Sequence, residues 1–217
     1  MKRMILIDGN SLMYRAYFGI ADTSTLKPNS KGVFTNAIMS FARMMNHILQ
    51  EQFDNILVAF DAGKHTFRHD IMTDYKAGRA HMPEEMRMQI AHIKNLLDLL
   101  GVKRYEVALY EADDIIGTMA KKAEGEGYHV DIYSSDKDLL QLITDNTTVH
   151  LTKKGLTDLE DYTPSHFEEV YGIKVPQFID LKALMGDKSD NISGVPGIGI
   201  KKAVKYLCEY KSVEGIL

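Results

Sequence analysis

Short apolar runs that end in acidic residues are the feature of this sequence that most restricts its fold. The runs and their acids are 4–7 with Asp8, 56–60 with Asp61, 107–110 with Glu111, Asp113 and Asp114, and 130–133 with Asp136 and Asp138; a further pair, Asp187 and Asp190, lies in 186–191. If the runs are parallel strands, their carboxyl ends meet at one crevice, where open sheets place functional sites. Nine carboxylates together require bound cations or shifted pKa values. The pattern therefore predicts a metal site.

The stretches between these runs have the periodicity of helices. Apolar residues recur at helical spacing over 38–49, 86–100 and 116–123. Helix-start signals are found at Pro83, at Asp113 and Asp114, at Thr163-Pro164 and at Val175-Pro176. Strands that alternate with helices indicate an α/β fold with a mostly parallel, twisted sheet flanked by helices.

Length and composition are those of a globular protein with one sizeable core and room for a small additional subdomain. The chain has 217 residues, of which 45% are hydrophobic and 26% charged. No run approaches the roughly 20 apolar residues of a membrane span. Cys208 is the only cysteine, which excludes an internal disulfide. We therefore expect a cytoplasmic protein with no membrane partner.

The net charge of −4 is unevenly distributed along the chain. Without the nine clustered acids the remaining residues carry +5. An acidic pit that cations neutralise, set in basic surroundings, suits a phosphodiester substrate. Oxygen-only ligands favour Mg²⁺ or Mn²⁺ over zinc, and two such ions about 3.5–4 Å apart promote phosphodiester hydrolysis. Any single acid has an alternative explanation as a helix cap or turn residue, but five clusters are hard to explain in this way.

A glycine-rich turn follows the last acidic pair. Gly194, Gly197 and Gly199, followed by Lys201 and Lys202, have the pattern of a helix–hairpin–helix. Backbone N–H groups at such a turn hold a phosphate without reading base sequence. The alternative is a simple Gly/Pro turn between two helices.

The segment 64–87 combines basic and aromatic side chains. Its basic residues are Lys64, Arg68, Lys76, Arg79 and Arg87, and its aromatic residues are Phe67 and Tyr75. Charges for the backbone and a ring for base stacking are what a single-stranded nucleic acid requires. A solvated surface helix is the alternative, because acidic residues are interspersed.

Five motifs in this order resemble the flap endonuclease family, and most closely its 5′→3′ exonuclease branch at the N-terminus of bacterial DNA polymerase I. The motifs are Asp8-Gly9-Asn10, Phe60-Asp61, Glu111-Ala112-Asp113-Asp114, Ser135-Asp136-Lys137-Asp138 and the run 186–191. The resemblance covers essentially the whole chain, and the ordered set is far more specific than any one motif.

The resemblance implies a PIN-like nuclease core over 1–180, with a helical arch at about 64–92. A helix–hairpin–helix (helix-3-turn-helix) over 181–217 would grip duplex DNA, and in the family this layer continues beyond Leu217. Two Mg²⁺ or Mn²⁺ ions are implied: the first nearer Asp8, Asp61, Glu111 and Asp113, the second nearer Asp136, Asp138 and Asp187, with Asp114 and Asp190 in outer positions. A monovalent cation such as K⁺ is implied at the hairpin turn.

The resemblance also implies roles for the basic segment. Tyr75 would stack on an unpaired nucleotide, Lys76 and Arg79 would neutralise phosphates beside the cut, and Lys64 and Arg68 would contact DNA. The expected function is a structure-specific 5′ nuclease of the bacterial cytosol and nucleoid. It would act as a monomer on DNA with a 5′ flap, nick or RNA primer, leave a 5′-phosphate and a 3′-hydroxyl, and be followed by a polymerase domain. The alternatives are a PIN-type ribonuclease and a non-catalytic module that binds branched DNA.

Overall fold

The central sheet has six strands in this computed structural model, which describes residues 1–19, 27–153 and 158–217. Along the chain the strands are β1 (Lys2–Asp8), β2 (Asn55–Ala59), β3 (Lys103–Tyr105), β4 (Tyr128–Ser134), β5 (Thr147–Thr152) and β6 (Leu159–Tyr162). Their order across the sheet is β3-β2-β1-β4-β5-β6, and only the β5–β6 pair is antiparallel. The predicted α/β fold with a mostly parallel sheet is confirmed.

Helices cover both faces of the sheet. The α-helices of the described residues are α1 (Gly9–Phe18), α2 (Asn36–Ile48), α3 (Phe67–Ile71), α4 (Glu84–Arg87), α5 (Ile90–Leu99), α6 (Ala112–Gly125), α7 (Pro164–Tyr171), α8 (Phe178–Met185), α9 (Ile200–Tyr210) and α10 (Val213–Ile216). Two 3-10 helices span Lys137–Leu142 and Val175–Gln177, and a small hairpin of β7 (Gly186–Asp187) and β8 (Ile192–Ser193) joins α8 to α9. None of these helices is long and apolar enough to cross a membrane.

Alternate residues of β1 face two separate hydrophobic cores. Ile5 and Ile7 belong to a core with α1, α2 and α5, whereas Leu6 belongs to a core with α6 and the C-terminal helices. All three are fully buried, and each such side chain contributes about 1.5–3 kcal/mol to folding when it leaves water. A strand that is buried on both faces is characteristic of the centre of a parallel sheet.

The order of the strands reverses at β1. The chain adds β2 and β3 on one side of β1 and then crosses through α6 to add β4, β5 and β6 on the other. An open parallel sheet forms its crevice at the carboxyl ends of the strands beside such a reversal. Asp8 is the last residue of β1, and Asp136 lies just beyond β4, so these two acids border the crevice.

The strand predicted at 107–110 is wrong, because β3 ends at Tyr105 and the predicted run forms a largely exposed loop. Leu109 has a φ of 69°, in the left-handed region that regular strands do not use. Its carbonyl accepts a hydrogen bond from the backbone N–H of Phe67 at 3.0 Å. The loop therefore docks a neighbouring segment instead of extending the sheet, and apolar content alone does not separate these two cases.

The single helix predicted after Pro83 is interrupted between α4 and α5. The interruption contains Gln89, which is fully buried. Its Oε1 accepts hydrogen bonds from the backbone N–H groups of Ala37 at 2.9 Å and Ile38 at 3.2 Å, and so satisfies the first turn of α2. Local periodicity cannot reveal a capping partner that lies 52 residues away. The helices predicted at 38–49, after Asp113 and after Pro164 are confirmed as α2, α6 and α7.

A network of charged side chains joins β1, β4, β5 and β6. Asp131, which is 3% exposed, accepts hydrogen bonds from Arg3 Nε at 2.5 Å and pairs with His150 Nε2 at 2.8 Å. His150 Nδ1 lies 2.7 Å from Asp161, and the ring stacks on Tyr133 with centroids 4.5 Å apart. Burial alone would lower the pKa of His150, but the hydrogen bonds to two carboxylates outweigh burial and raise the pKa.

We predict that the protein loses stability as the pH rises through the raised pKa of His150. The stabilisation from protonated His150 is fully present below about pH 6.5, the ordinary pKa of histidine. It is lost at higher pH, as the ring in the folded protein gives up its proton. Although burial raises the pKa of Asp131, hydrogen bonds from His150 and Arg3 lower it overall, so Asp131 stays ionised over this range. His150→Gln should therefore reduce the slope of unfolding free energy against pH, measured by urea denaturation between about pH 6 and 9.

His129→Gln is the matched control. The His129 ring lies farther from the same carboxylate, 3.7 Å from Asp131, and its side chain is 29% exposed. This variant should keep the wild-type slope. Equal slopes for His150→Gln and the wild-type protein would show that the network does not titrate as described.

Candidate active site

Asp8 is buried at the junction of β1 and α1. As the N-cap of α1 it accepts a hydrogen bond from the backbone N–H of Ser11 at 2.9 Å, and it accepts a second from the hydroxyl of Ser134 at 2.8 Å. Gly9 lets the helix begin this close to β2, because a Cβ at position 9 would lie 2.5 Å from the ring of Phe60. Strand, helix and hydroxyl together fix this carboxylate at the crevice.

Neutral groups link the acids that follow β1, β2 and β4. The hydroxyl of Ser134 donates to Asp8 and accepts from the backbone N–H of Asp136 at 2.9 Å. Nδ2 of Asn10 donates to Asp61 at 2.6 Å, and Asp61 also accepts from the first backbone N–H of α6 at 2.7 Å. One set of hydrogen bonds therefore joins the ends of β1 and β4, and a second joins the start of α1 to the end of β2 and the start of α6.

The Glu-Ala-Asp-Asp motif begins α6 and does not end a strand. Glu111 is the N-cap, and its backbone N–H donates to the carboxylate of Asp114 at 3.0 Å in a capping box. Asp113 lies between them among the other acids of the crevice. Burial, followed by the charges of neighbouring carboxylates with that of Asp8 foremost, raises the pKa of Asp113 to about 8.

We call Asp8, Asp61, Asp113 and Asp136 the inner acids. Burial, assisted by the charges of Asp61 and Asp136, raises the pKa of Asp8 to about 7 despite its two hydrogen bonds. Burial also raises the pKa of Asp61. In the described chain no lysine, arginine or histidine forms an ion pair with any inner acid, because the local ion pairs all involve other carboxylates. The fold therefore holds together negative charges that repel one another.

The remaining acids, which we call the outer acids, are paired with cations. They are Glu111, Asp114, Asp138, Asp187 and Asp190. Three of their cations come from residues 64–92, which we call the strap. Arg68 binds Asp114 through two hydrogen bonds of 2.8 Å, Lys76 binds Glu111 at 2.6 Å, and Arg79 binds Asp190 at 2.6 Å.

Lys182 supplies the fourth cation. Its Nζ lies 2.7 Å from Oδ1 of Asp138 and also contacts Oδ2 of Asp187. Burial alone would raise the pKa of Asp187, but the hydrogen bond from Lys182 and those from Ser189 hold it well below its usual range. Burial outweighs the same lysine at Asp138, whose pKa is raised. One ammonium group thus bridges the 3-10 helix after β4 and the hairpin after α8.

The strap lies against the crevice. Within residues 64–87 of the strap, only α3 and α4 are helical. The residues between these two helices form turns and irregular backbone, so the expected helical arch is mostly irregular here. Lys76 has a φ of 59°, a conformation that costs energy for a residue with a Cβ. Its backbone N–H donates to the carbonyl of Asp190 at 3.0 Å, and Asn191 Nδ2 donates to the carbonyl of Asp74 at 2.9 Å. These contacts tie the strap to the last acidic pair.

Tyr75 is a buried residue of the strap, and its side chain faces the crevice with 6% of its surface exposed. Its hydroxyl donates to Asp190 at 3.1 Å and to Glu111 at 3.3 Å. Base stacking on this ring therefore requires the strap to move. Tyr14, which the sequence interpretation did not select, is half-exposed on α1 and stacks with Phe18 at 6.1 Å. The helix-spaced aromatic pair was a signal in the sequence, but it also fits ordinary core packing.

The acids line one crevice without forming a closed cage. Across residues 1–19, 27–153 and 158–217, no three His, Cys, Asp or Glu side chains converge in the geometry of a metal cluster. The outer acids are directed to the lysines and arginines with which they form ion pairs. The donor set still fits a hard divalent cation: it consists of carboxylate oxygens, and Asp8, Asp61 and Asp113 have raised pKa values and no cationic partner among the described residues.

The predicted glycine turn connects β8 to α9. A Cβ at Gly186 would lie 2.2 Å from the backbone nitrogen of Gly194, so the hairpin that carries Asp187 requires glycine here. Gly197 has a φ of 78°, and its carbonyl accepts a hydrogen bond from Lys202 Nζ at 3.0 Å. The sequence-predicted residues not yet described are Gly199, the N-cap of α9, and Lys201 and Lys64, which are both exposed.

Comparison with known proteins identifies the chain. The family model of the 5′-3′ exonuclease N-terminal resolvase-like domain matches residues 3–172, and that of the 5′-3′ exonuclease C-terminal SAM fold matches residues 173–217. The chain belongs to the 5′-3′ exonuclease family.

Curated relatives support this membership. Over 217 residues the chain is 52% identical to DNA polymerase I of Bacillus subtilis, covering 100% of this chain and 24% of the relative. It is 42% identical over 216 residues to the thermostable DNA polymerase I of Thermus filiformis, covering 100% of this chain and 25% of the relative. The chain thus spans about a quarter of the length of these relatives.

Solved structures of the 5′-3′ exonuclease family share the fold. The T5 5′-exonuclease with bound zinc has a TM-score of 0.78 at 27% identity, over 99% of this chain and 78% of that one. The T5 flap endonuclease in a pseudo-enzyme–product complex with DNA and metal ions has a TM-score of 0.74 at 26% identity, with the same coverage. The resemblance to the flap endonuclease and 5′→3′ exonuclease family is confirmed, and this chain is a nuclease of that family.

The raised pKa of Asp113 predicts how the metal-free protein responds to pH. Ionising Asp113 in the folded state is unfavourable. The resulting destabilisation begins as the pH rises above about 3.9, the pKa of an aspartate in the unfolded state, and is complete above the folded-state pKa of about 8. Asp113→Asn should therefore melt at a higher temperature than the wild-type protein at pH 8.5 in EDTA, and the difference should vanish near pH 4. Each kcal/mol of unfolding free energy corresponds to a shift of about 2–4 °C in melting temperature for a chain of this size.

Differential scanning fluorimetry with Asp145→Asn as the control measures this effect. Asp145 is exposed and lies away from the crevice, so its substitution makes the same change in net charge without relieving the inner acids. Added Mg²⁺ should stabilise the wild-type protein and Asp145→Asn far more than Asp113→Asn. A lower melting temperature for Asp113→Asn at pH 8.5 would contradict the repulsion described here.

Proposed function

We propose that this 5′-3′ exonuclease chain is a structure-specific 5′ nuclease that cleaves DNA at the junction of a 5′ flap, a nick or an RNA primer. The products would carry a 5′-phosphate and a 3′-hydroxyl. The observation that carries the proposal is the group of four inner acids, which lack cationic partners in the described chain and border a strap whose arginines and lysines can reach phosphates.

The inner acids are suited to hold two Mg²⁺ or Mn²⁺ ions, with the outer acids completing the sites. When bound, such cations supply Lewis-acid stabilisation of the attacking and leaving oxygens of the phosphodiester. Asp8 and Asp61 are already oriented by hydrogen bonds from Ser134 and Asn10, so little side-chain freedom is lost when they bind a cation. The assignment of each acid to one of the two ions remains part of this proposal.

The strap would bind the strand that is to be cut. Lys76 and Arg79 lie at the acids of the crevice, where their charges can stabilise the negative charge that develops on a phosphate. The Tyr75 ring would stack on an unpaired base after the strap lifts. Lys64, on the exposed surface of the strap, and Arg68 would contact the backbone of the flap.

The C-terminal region would bind the duplex beside the junction. The turn of Gly194, Gly197 and Gly199 and the start of α9 offer backbone N–H groups to a phosphate, and Lys201 adds an exposed charge. Lys202 already binds the carbonyl of Gly197, at the turn where a K⁺ ion would sit. We further propose that the nuclease core spans 1–180 with the arch at 64–92, and the DNA-binding region 181–217. The chain would act as a monomer in the bacterial cytosol, linked to a polymerase domain.

A substrate panel tests the proposed reaction. We expect the protein to cut an end-labelled 5′-flap duplex near the junction with Mg²⁺ and to be inactive in EDTA. Asp136→Asn should lower the single-turnover rate by about 10²-fold or more, because an inner acid is lost. Asp145→Asn should retain the wild-type rate.

Three other outcomes of this panel would contradict the proposal. Preferential cleavage of free single-stranded RNA would favour a ribonuclease of the same fold. Tight binding of the flap duplex without cleavage under any divalent cation would indicate a non-catalytic module. Flap cleavage by Asp136→Asn at the wild-type rate would show that the inner acids do not take part in catalysis.

The strap can be tested by separating its ring from its charge. Tyr75→Ala should slow cleavage of a flap more than that of a nicked duplex, because the lost stacking contact is worth about 1–3 kcal/mol. Tyr75→Phe keeps the ring and should keep the preference for flaps. Lys76→Ala should slow both substrates, whereas Arg87→Ala, which removes an exposed arginine paired only with Glu84 in the described residues, should slow neither. Wild-type single-turnover rates for Tyr75→Ala and Lys76→Ala on both substrates would refute the role of the strap.

A further inference from the structure

Lys182 stands between Asp138 and Asp187, two outer acids that we place at the second divalent cation of the proposed function. Its Nζ is 2.7 Å from Asp138, and it also contacts Asp187. Asp138 belongs to the 3-10 helix after β4, whereas Asp187 belongs to the hairpin after α8. The lysine is therefore the link through which these two acids share one positive charge.

The surroundings hold the Asp187 carboxylate toward the ammonium group. Asp187 Oδ1 accepts hydrogen bonds from the backbone N–H and the hydroxyl of Ser189, at 2.8 and 2.6 Å, and from the backbone N–H of Asp190 at 3.2 Å. Its other oxygen is thereby directed to Lys182. The Lys182 ammonium group thus occupies the position between the two carboxylates that a divalent cation shared by them would take.

The two halves of the crevice therefore differ in how they are neutralised. The inner acids have no cationic partner within the described residues, so a divalent cation among them displaces nothing. Asp138 and Asp187 already have a counter-ion, and a dication placed next to an ammonium group would be repelled by it. A second ion can bind these two acids only if the Lys182 side chain leaves them.

We propose that Lys182 is the resident counter-ion of the second metal position, and that its displacement makes the second divalent cation bind more weakly than the first. This inference rests on the proposed two-metal function. It makes occupancy of the second position conditional, because any group that attracts the displaced ammonium, such as a substrate phosphate, favours loading of the second ion. The protein would thus complete its metal site mainly when a phosphodiester is present.

Counting bound Mn²⁺ by electron paramagnetic resonance tests the inference in the absence of substrate. The wild-type chain should show one tight and one weak site. Lys182→Met, which keeps the length and apolar stem of the side chain but removes the charge, should tighten the weak site at least about tenfold and leave the tight site nearly unchanged. Lys182→Gln provides a second neutral variant with the same expectation if Lys182→Met does not fold, as judged by circular dichroism.

Two controls separate displacement from general electrostatics. Lys188→Met removes the same charge from an exposed position beside Asp187 and should change the weak site by less than about twofold. Lys182→Arg keeps the charge and should keep the weak site weak. Equal effects of Lys182→Met and Lys188→Met, or no tightening by either neutral variant at position 182, would overturn the inference while leaving two-metal binding intact. No Mn²⁺ binding to any of these proteins would overturn the proposed function itself.

Discussion

Repulsion between carboxylates at the ends of parallel strands is the constraint on which the rest of this structure depends. The strand order brings Asp8 and Asp136 to one crevice, and the start of α6 adds Asp113. Burial and proximity raise the pKa values of Asp8 and Asp113, which means that the fold loses some stability by holding these carboxylates together. The two hydrophobic cores on either side of β1 supply that stability. The active site is thus the least favourable part of an otherwise well-packed sheet.

The chain partly relieves this repulsion with its own cations. Arg68, Lys76 and Arg79 fold down onto outer acids, and Lys182 bridges two more. The same basic groups are those that a phosphodiester substrate would attract. Binding of metal ions and DNA would therefore exchange one set of ion pairs for another, at little net change in charge. The left-handed backbone of Lys76 and the buried ring of Tyr75 mark the strap as the segment that would rearrange in this exchange.

Much of the fold was predictable from the sequence because it depends on short-range patterns. The apolar runs ending at Asp8, Asp61 and Tyr133 gave β1, β2 and β4, and the cap residues Thr163 and Pro164 gave the start of α7. Two of the departures from prediction arose where distant contacts decide the local structure. Gln89 lies in the break between α4 and α5, where its side chain caps α2. The loop at Leu109 binds the strap through the backbone N–H of Phe67.

The candidate site was predictable as a set of residue types but not as a geometry. The sequence identified nine acids, and the structure divides them into inner acids without cationic partners in the described chain and outer acids with them. Nothing local distinguishes Asp136 from Asp138 in this respect. Lys182 was not selected, because a lysine within a predicted helix is usually a solvated residue. Its role becomes visible only when α8 is placed against the 3-10 helix after β4.

Anomalous diffraction from a crystal of the protein grown with Mn²⁺ tests the central claim most directly. The account predicts manganese in the crevice, in contact with oxygens of Asp8, Asp61, Asp113 and Asp136, and a Lys182 side chain that has left Asp138 wherever the second ion is present. Manganese bound only outside the crevice, or two ions in the crevice with Lys182 still bridging Asp138 and Asp187, would contradict it.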